Sequence, residues 1–177
     1  MDAERLQRVL ADDYVAGLAG LPMAELRVRR GACQSLEVAL SYQRRIAQGR
    51  LDLVGAEQRR RATGEEPPSD DDLVRTLAAA LGDRGRPAGV GRLPQLLAPE
   101  AEEVDTSELD AILGPGVLAH LVDMDEADLG RLVGELSASE AEVSGRRRAL
   151  HERIDALQAE ITRRYRTGEA SVESLLQ

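Results

Sequence analysis

Two groups of five residues carry the chemistry open to this chain. Glu37, Ser41, Arg44, Gln48 and Asp52 are spaced four, three, four and four apart. At roughly 100° per residue they form one stripe about 80° wide and about 22 Å long on a single helix. The same spacing returns 103 residues later as Glu140, Ser144, Arg147, His151 and Asp155, where histidine replaces glutamine. A carboxylate accepts paired N–H donors, and arginine donates a planar fork to a phosphate or to a carbonyl beside a ring nitrogen. Arginine on O6 and N7 is the common reading of guanine's Hoogsteen edge, while a carboxylate can take its N1–H and N2–H. Serine and glutamine complete phosphate or ribose contacts. Both stripes therefore suit a guanine nucleotide that carries phosphate.

The elements that must position them are helices. From Pro22 to Thr63 no further proline occurs, Gly64 supplies a stop, and Pro67-Pro68 prevent continuation. A second long helix is predicted over 126–167, capped by Asp123 or Asp125 and stopped at Gly168. The two end almost alike, RRRATGE at 59–65 and RRYRTGE at 163–169. Leu26, Cys33, Leu40, Ala47 and Val54 recur at intervals of seven; so do Leu129, Leu136, Val143, Leu150 and Leu157, each 103 residues after its counterpart. Leu36 and Leu51 widen the first seam and Ile154 the second. A heptad seam keeps one apolar face towards a partner helix.

The expected fold is all-α: a long antiparallel two-helix coiled coil with a short N-terminal helix and an irregular helical connection. A parallel pairing satisfies the same pattern. The predicted divisions are 1–21 (a short amphipathic helix over 3–17), 22–64, 65–123, 124–168 and 169–177. Within the connection, helices are predicted at 73–81, 107–113 and 115–122, and a last short helix at 170–176.

Charged residues beside a heptad seam ordinarily serve only solubility, contributing a few tenths of a kcal/mol per pair. Recurrence of four identities in five positions favours a site over that plain reading. Ser41 and Ser144 are also poor choices for an exposed helix interior. Gly145 costs about 1 kcal/mol relative to alanine and leaves room for something to approach the backbone.

Composition narrows the class further. The chain has 177 residues, three Tyr, no Phe and no Trp, which favours helix over sheet. Its net charge is −9, unsuited to DNA or RNA binding, where phosphate neutralisation supplies most of the affinity. One cysteine excludes an internal disulfide, and one cysteine with two histidines argues against a metal site. No Walker-type glycine loop is present, which argues against nucleotide hydrolysis. No apolar run approaches the ~20 residues of a membrane span, so a soluble cytoplasmic protein is expected. Cys33 reads as a small buried hydrophobe and His120 as packed in a short apolar helix.

The pattern E-x3-S-x2-R-x3-Q-x3-D, once on each long helix, resembles the cyclic di-GMP signature of the RsiG-type anti-sigma factors of actinobacteria. The first copy matches completely; the second departs at His151. The resemblance implies an antiparallel coiled coil binding two molecules of cyclic di-GMP. It also implies sequestration of a sporulation sigma factor of the WhiG type, related to flagellar sigma factors. No catalytic residue, resident cofactor, DNA contact or membrane contact is expected, and the chain is expected to be monomeric before the sigma factor binds. On this reading Arg44 and Arg147 meet guanine and phosphate, and Asp52 and Asp155 take guanine N–H groups. Glu37 and Glu140 orient the arginines, with Ser41, Ser144, Gln48 and His151 as secondary contacts. A coiled-coil adaptor without nucleotide is the alternative.

Overall fold

A computed structural model describes residues 3–65 and 104–169. The predicted helices at 73–81 and 170–176 lie outside the described residues. In chain order the helices are α1 (Ala3–Leu10), α2 (Met23–Thr63), α3 (Ser107–Leu113), α4 (Pro115–Leu118) and α5 (Glu126–Thr167). Short 3-10 turns stand at Asp12–Val15, Leu18–Gly20 and Leu121–Asp123. No strand occurs among the described residues.

The ends of the long helices follow from local chemistry. The Pro22 carbonyl accepts the first intrahelical bond of α2, from the Leu26 N–H. Asp125, not Asp123, caps α5: its carboxylate accepts the Asp128 N–H at 2.8 Å. Gly64 and Gly168 both adopt left-handed backbone, with φ of 70° and 74°, where a side chain would be strained. At the end of α2 the Gly64 and Glu65 N–H groups reach back to the Arg61 and Arg60 carbonyls, closing a Schellman motif.

Two short segments are shorter than predicted. The amphipathic pattern over 3–17 forms an α-helix only to Leu10. Asp12 and Asp13 follow, and acids are unfavourable at the negative end of a helix. Arg153 captures the Leu10 and Ala11 carbonyls that a longer helix would have used. The segment predicted at 115–122 is likewise one α-turn to Leu118 followed by the 3-10 turn at Leu121–Asp123. Gly114 separates α3 from α4, and a Cβ there would lie 2.5 Å from the Asp110 carbonyl oxygen.

The described chain forms two compact units, one of 3–41, Val104 and 145–169, the other of 42–65 and 105–144. In each, part of α2 packs on part of α5. In the first, Arg27 bonds Tyr165, Arg30 bonds Gln158 and Arg147 bonds Glu37. In the second, Arg44 bonds Glu140 and Arg61 bonds the Met124 carbonyl. All ten heptad residues are buried, the most exposed being Val143 at 7%. Leu36 is buried as expected, whereas Leu51 and Ile154 are only half-buried; Leu53, Leu132 and Ile161 bury instead. The first unit adds Leu6 and Val9 from α1 to its core. The second adds Leu109, Leu113 and Leu121. Leu6 and Leu109 are 103 residues apart, as are the 3-10 turns at Leu18–Gly20 and Leu121–Asp123.

Matching clasps close the C-terminal ends of both long helices. In the second unit the Glu57 carboxylate accepts two bonds from Arg60 and one from Arg61. Arg61 then donates to the carbonyls of Leu121, Val122 and Met124 in the turn before α5. In the first unit Glu160 holds Arg163 and Arg164, and Arg164 donates to the Leu18 and Ala19 carbonyls in the turn before α2. The arginines hold the Glu160 carboxyl down at about 2, against an ordinary 4.5.

Two outcomes follow. Leu40→Ala, at a fully buried seam position, should cost about 2–5 kcal/mol in urea unfolding; Val28→Ala, 67% exposed, should change stability by no more than about 0.5 kcal/mol. The contribution of Glu160 is complete above its unfolded value and is lost as pH falls towards its folded value of about 2. Glu160→Gln should therefore flatten the loss of stability below the ordinary carboxylate range. An unchanged acid limb in denaturation curves would count against the clasp.

Candidate functional site

The ten stripe residues divide between the two units, and each unit draws on both sequence copies. Glu37 and Ser41, on α2, meet Arg147 and His151, on α5. Arg147 Nε donates to Glu37 Oε1 at 2.8 Å and to Ser41 Oγ at 2.7 Å. The Ser41 hydroxyl donates to Glu37 Oε1 at 2.7 Å, and His151 Nε2 lies 3.3 Å from the same oxygen. In the other unit Arg44 Nε donates to Glu140 Oε1 at 2.8 Å and to Ser144 Oγ at 2.9 Å. Ser144 Oγ is 3.0 Å from Glu140 Oε1, and Gln48 Nε2 is 3.3 Å from it. The two clusters thus share one glutamate–serine–arginine bonding pattern.

The spacing explains this. Glutamate and serine four apart share a helix face one turn from each other, so the hydroxyl reaches the carboxylate. Arginine and Gln48 or His151, also four apart, present their nitrogens together from the opposite helix. What the sequence did not reveal is that the two halves of each motif work with halves of the other copy. The complete first copy and the altered second copy therefore share clusters: His151 serves Glu37, not Glu140. The His151 Nε2 stands 3.3 Å from the Glu37 carboxylate, the same distance at which Gln48 donates to Glu140, so the replacement keeps a ring nitrogen beside the carboxylate.

Each arginine uses only its Nε in these bonds. The terminal nitrogens of Arg44 and Arg147 make no hydrogen bond to another described residue, and both side chains are partly exposed, at 36% and 32%. An arginine held at Nε presents its remaining fork to an incoming acceptor. Glu37 feels opposing forces: burial pushes its carboxyl up, but bonds from Ser41 and Arg147 and the charge of Arg147 outweigh it, leaving it below the ordinary carboxylate range. Asp52 and Asp155 are exposed, each four residues beyond Gln48 and His151. Among the described residues no cluster of His, Cys, Asp and Glu could hold a metal ion, and no helix is long and apolar enough to cross a membrane.

Paired helix segments, each pair leaving one arginine fork to solvent, define an all-helical protein among the described residues. The chain belongs to the RsiG-like family, whose model matches residues 12–81 and 116–177. This is a family of anti-sigma regulators, not of enzymes, and it implies a sigma factor as partner. No curated protein matches the chain.

The Glu37 balance can be tested by a carboxyl-resolved NMR titration. Its midpoint should lie below the ordinary range in the unmodified protein and rise in Arg147→Ala, where burial is opposed by fewer donors. A midpoint that does not move would separate Glu37 from Arg147 in solution.

Proposed function

We propose that this chain is a cyclic di-GMP-responsive anti-sigma factor, binding two molecules of the nucleotide and sequestering a sporulation sigma factor of the WhiG type in an actinobacterial cytoplasm. One cluster would engage the nucleotide through Glu37, Ser41, Arg147, His151 and Asp155, the other through Arg44, Gln48, Asp52, Glu140 and Ser144. The carrying observation is the arginine pinned at Nε by glutamate and serine, with its fork left for an acceptor, in both clusters. Arg44 and Arg147 are read as donors to guanine O6 and N7 or to phosphate. Asp52 and Asp155, exposed one turn beyond Gln48 and His151, are read as acceptors for guanine N1–H and N2–H. Glu37 and Glu140 act by fixing the arginines.

An antiparallel coiled coil is the reading of the long helices that fits these assignments. As residue numbers rise along α2 within a unit, the α5 partners fall, from Tyr165 through Gln158 to Arg147 in the first. Binding by a regulator of this kind needs no bond to be made or broken. The nucleotide would act by its presence, adding surface that a sigma factor then recognises.

Calorimetry with cyclic di-GMP, run with and without a WhiG-type sigma factor, tests the proposal. Two nucleotides per chain are expected, with binding lost in the Arg44→Ala/Arg147→Ala double variant. Absence of heat under both conditions, or equal binding by the double variant, would overturn it and leave a coiled-coil adaptor.

A further inference from the structure

With the aspartates that the nucleotide reading assigns to them, the clusters carry the wrong formal charge for an anionic ligand. Each has two carboxylates and one arginine: Glu37, Asp155 and Arg147 in one unit, Glu140, Asp52 and Arg44 in the other. With Gln48 and a neutral His151, each sums to a single negative charge, on a chain of net charge −9. A cyclic dinucleotide has a negative charge on each of its two phosphodiesters. Bringing it to a partly buried, negative cluster is opposed by like-charge repulsion that solvent screens incompletely. Further positive charge must come from nearby.

Most described arginines are engaged by the fold, as Arg50 is by Asp110 and Arg61 by Glu57. Of those with no hydrogen bond or ion pair to another described residue, Arg45 and Arg148 occupy matching positions 103 residues apart. Both are exposed. Arg45 lies three residues before Gln48, and Arg148 three before His151, so each is a neighbour of its cluster, with about 5–6 Å between Cβ atoms. Five residues on from Leu40 and Val143, they point about 140° away from the seam. They therefore edge each stripe on its solvent side, where a ligand seated on the arginine fork would leave its phosphates.

We infer that Arg45 and Arg148 are phosphodiester-binding residues of the two clusters, outside the five-position motif, and that they bring each cluster to neutrality. This rests on the nucleotide reading above. The pinned arginine and the free one then divide the work: the first is oriented for directional bonds, the second is a mobile charge that follows the phosphate.

The test uses the full chain and cyclic di-GMP, by calorimetry at low and moderate salt, with and without the sigma factor. Arg45→Gln/Arg148→Gln should weaken nucleotide binding at least tenfold and make it less salt-sensitive, while its helical circular dichroism stays unchanged. Arg45→Lys/Arg148→Lys, which keeps the charge, should retain most of the affinity. If the unmodified chain binds and the glutamine variant binds equally with the same salt dependence, this inference fails alone and the nucleotide reading survives. If nucleotide affinity is unchanged but the sigma complex is lost, the arginines face the protein partner and the inference is overturned. No binding by the unmodified chain under either condition overturns both.

Discussion

Everything in this molecule depends on the burial of one apolar row along each long helix. Fully burying a leucine contributes about 1.5–3 kcal/mol, and Leu26, Leu40, Leu129, Leu136, Leu150 and Leu157 are all at 0% exposure. The row also fixes rotation. Once it faces inward, residues some 80° around the helix lie at the edge of the contact. That edge is where Glu37 meets Arg147 and Glu140 meets Arg44. Apolar burial thus sets the geometry of polar groups that contribute little to it.

Glutamate–arginine pairing serves two different ends in this chain. In the clasps, Glu57 and Glu160 each hold two arginines, and one of these closes on backbone carbonyls of the turn before the other long helix. Those guanidiniums are occupied by the fold. In the stripes the glutamate takes only Nε, and the fork is left over. The difference lies in what is opposite: the carbonyls of a turn in one case, solvent in the other. The same pair of residue types locks the helix ends and, midway along, leaves the arginine fork to solvent.

The chain is duplicated at the level of elements as well as motifs. Leu6 and Leu109, Arg61 and Arg164, and Ser41 and Ser144 hold equivalent places 103 residues apart. Each unit combines the front of one copy with the back of the other. His151 therefore replaces glutamine beside Glu37, its Nε2 3.3 Å from the carboxylate.

The sequence by itself determined the helical class, the two long helices with their glycine stops, the seam and the ten stripe residues. These are periodic or local properties, written in spacings of seven, four and three and in the backbone freedom of Gly64 and Gly168. It also showed the like endings RRRATGE and RRYRTGE, though not that they clasp a distant turn. Only the tertiary structure decided which half-motifs meet, that Arg153 ends α1 early, and that Gln43 and Glu57 are buried polar residues. Periodicity says which face of a helix points inward; it does not say which residue of another helix arrives opposite. That depends on how two distant segments align, and alignment is a property of the packed pair, not of either helix alone.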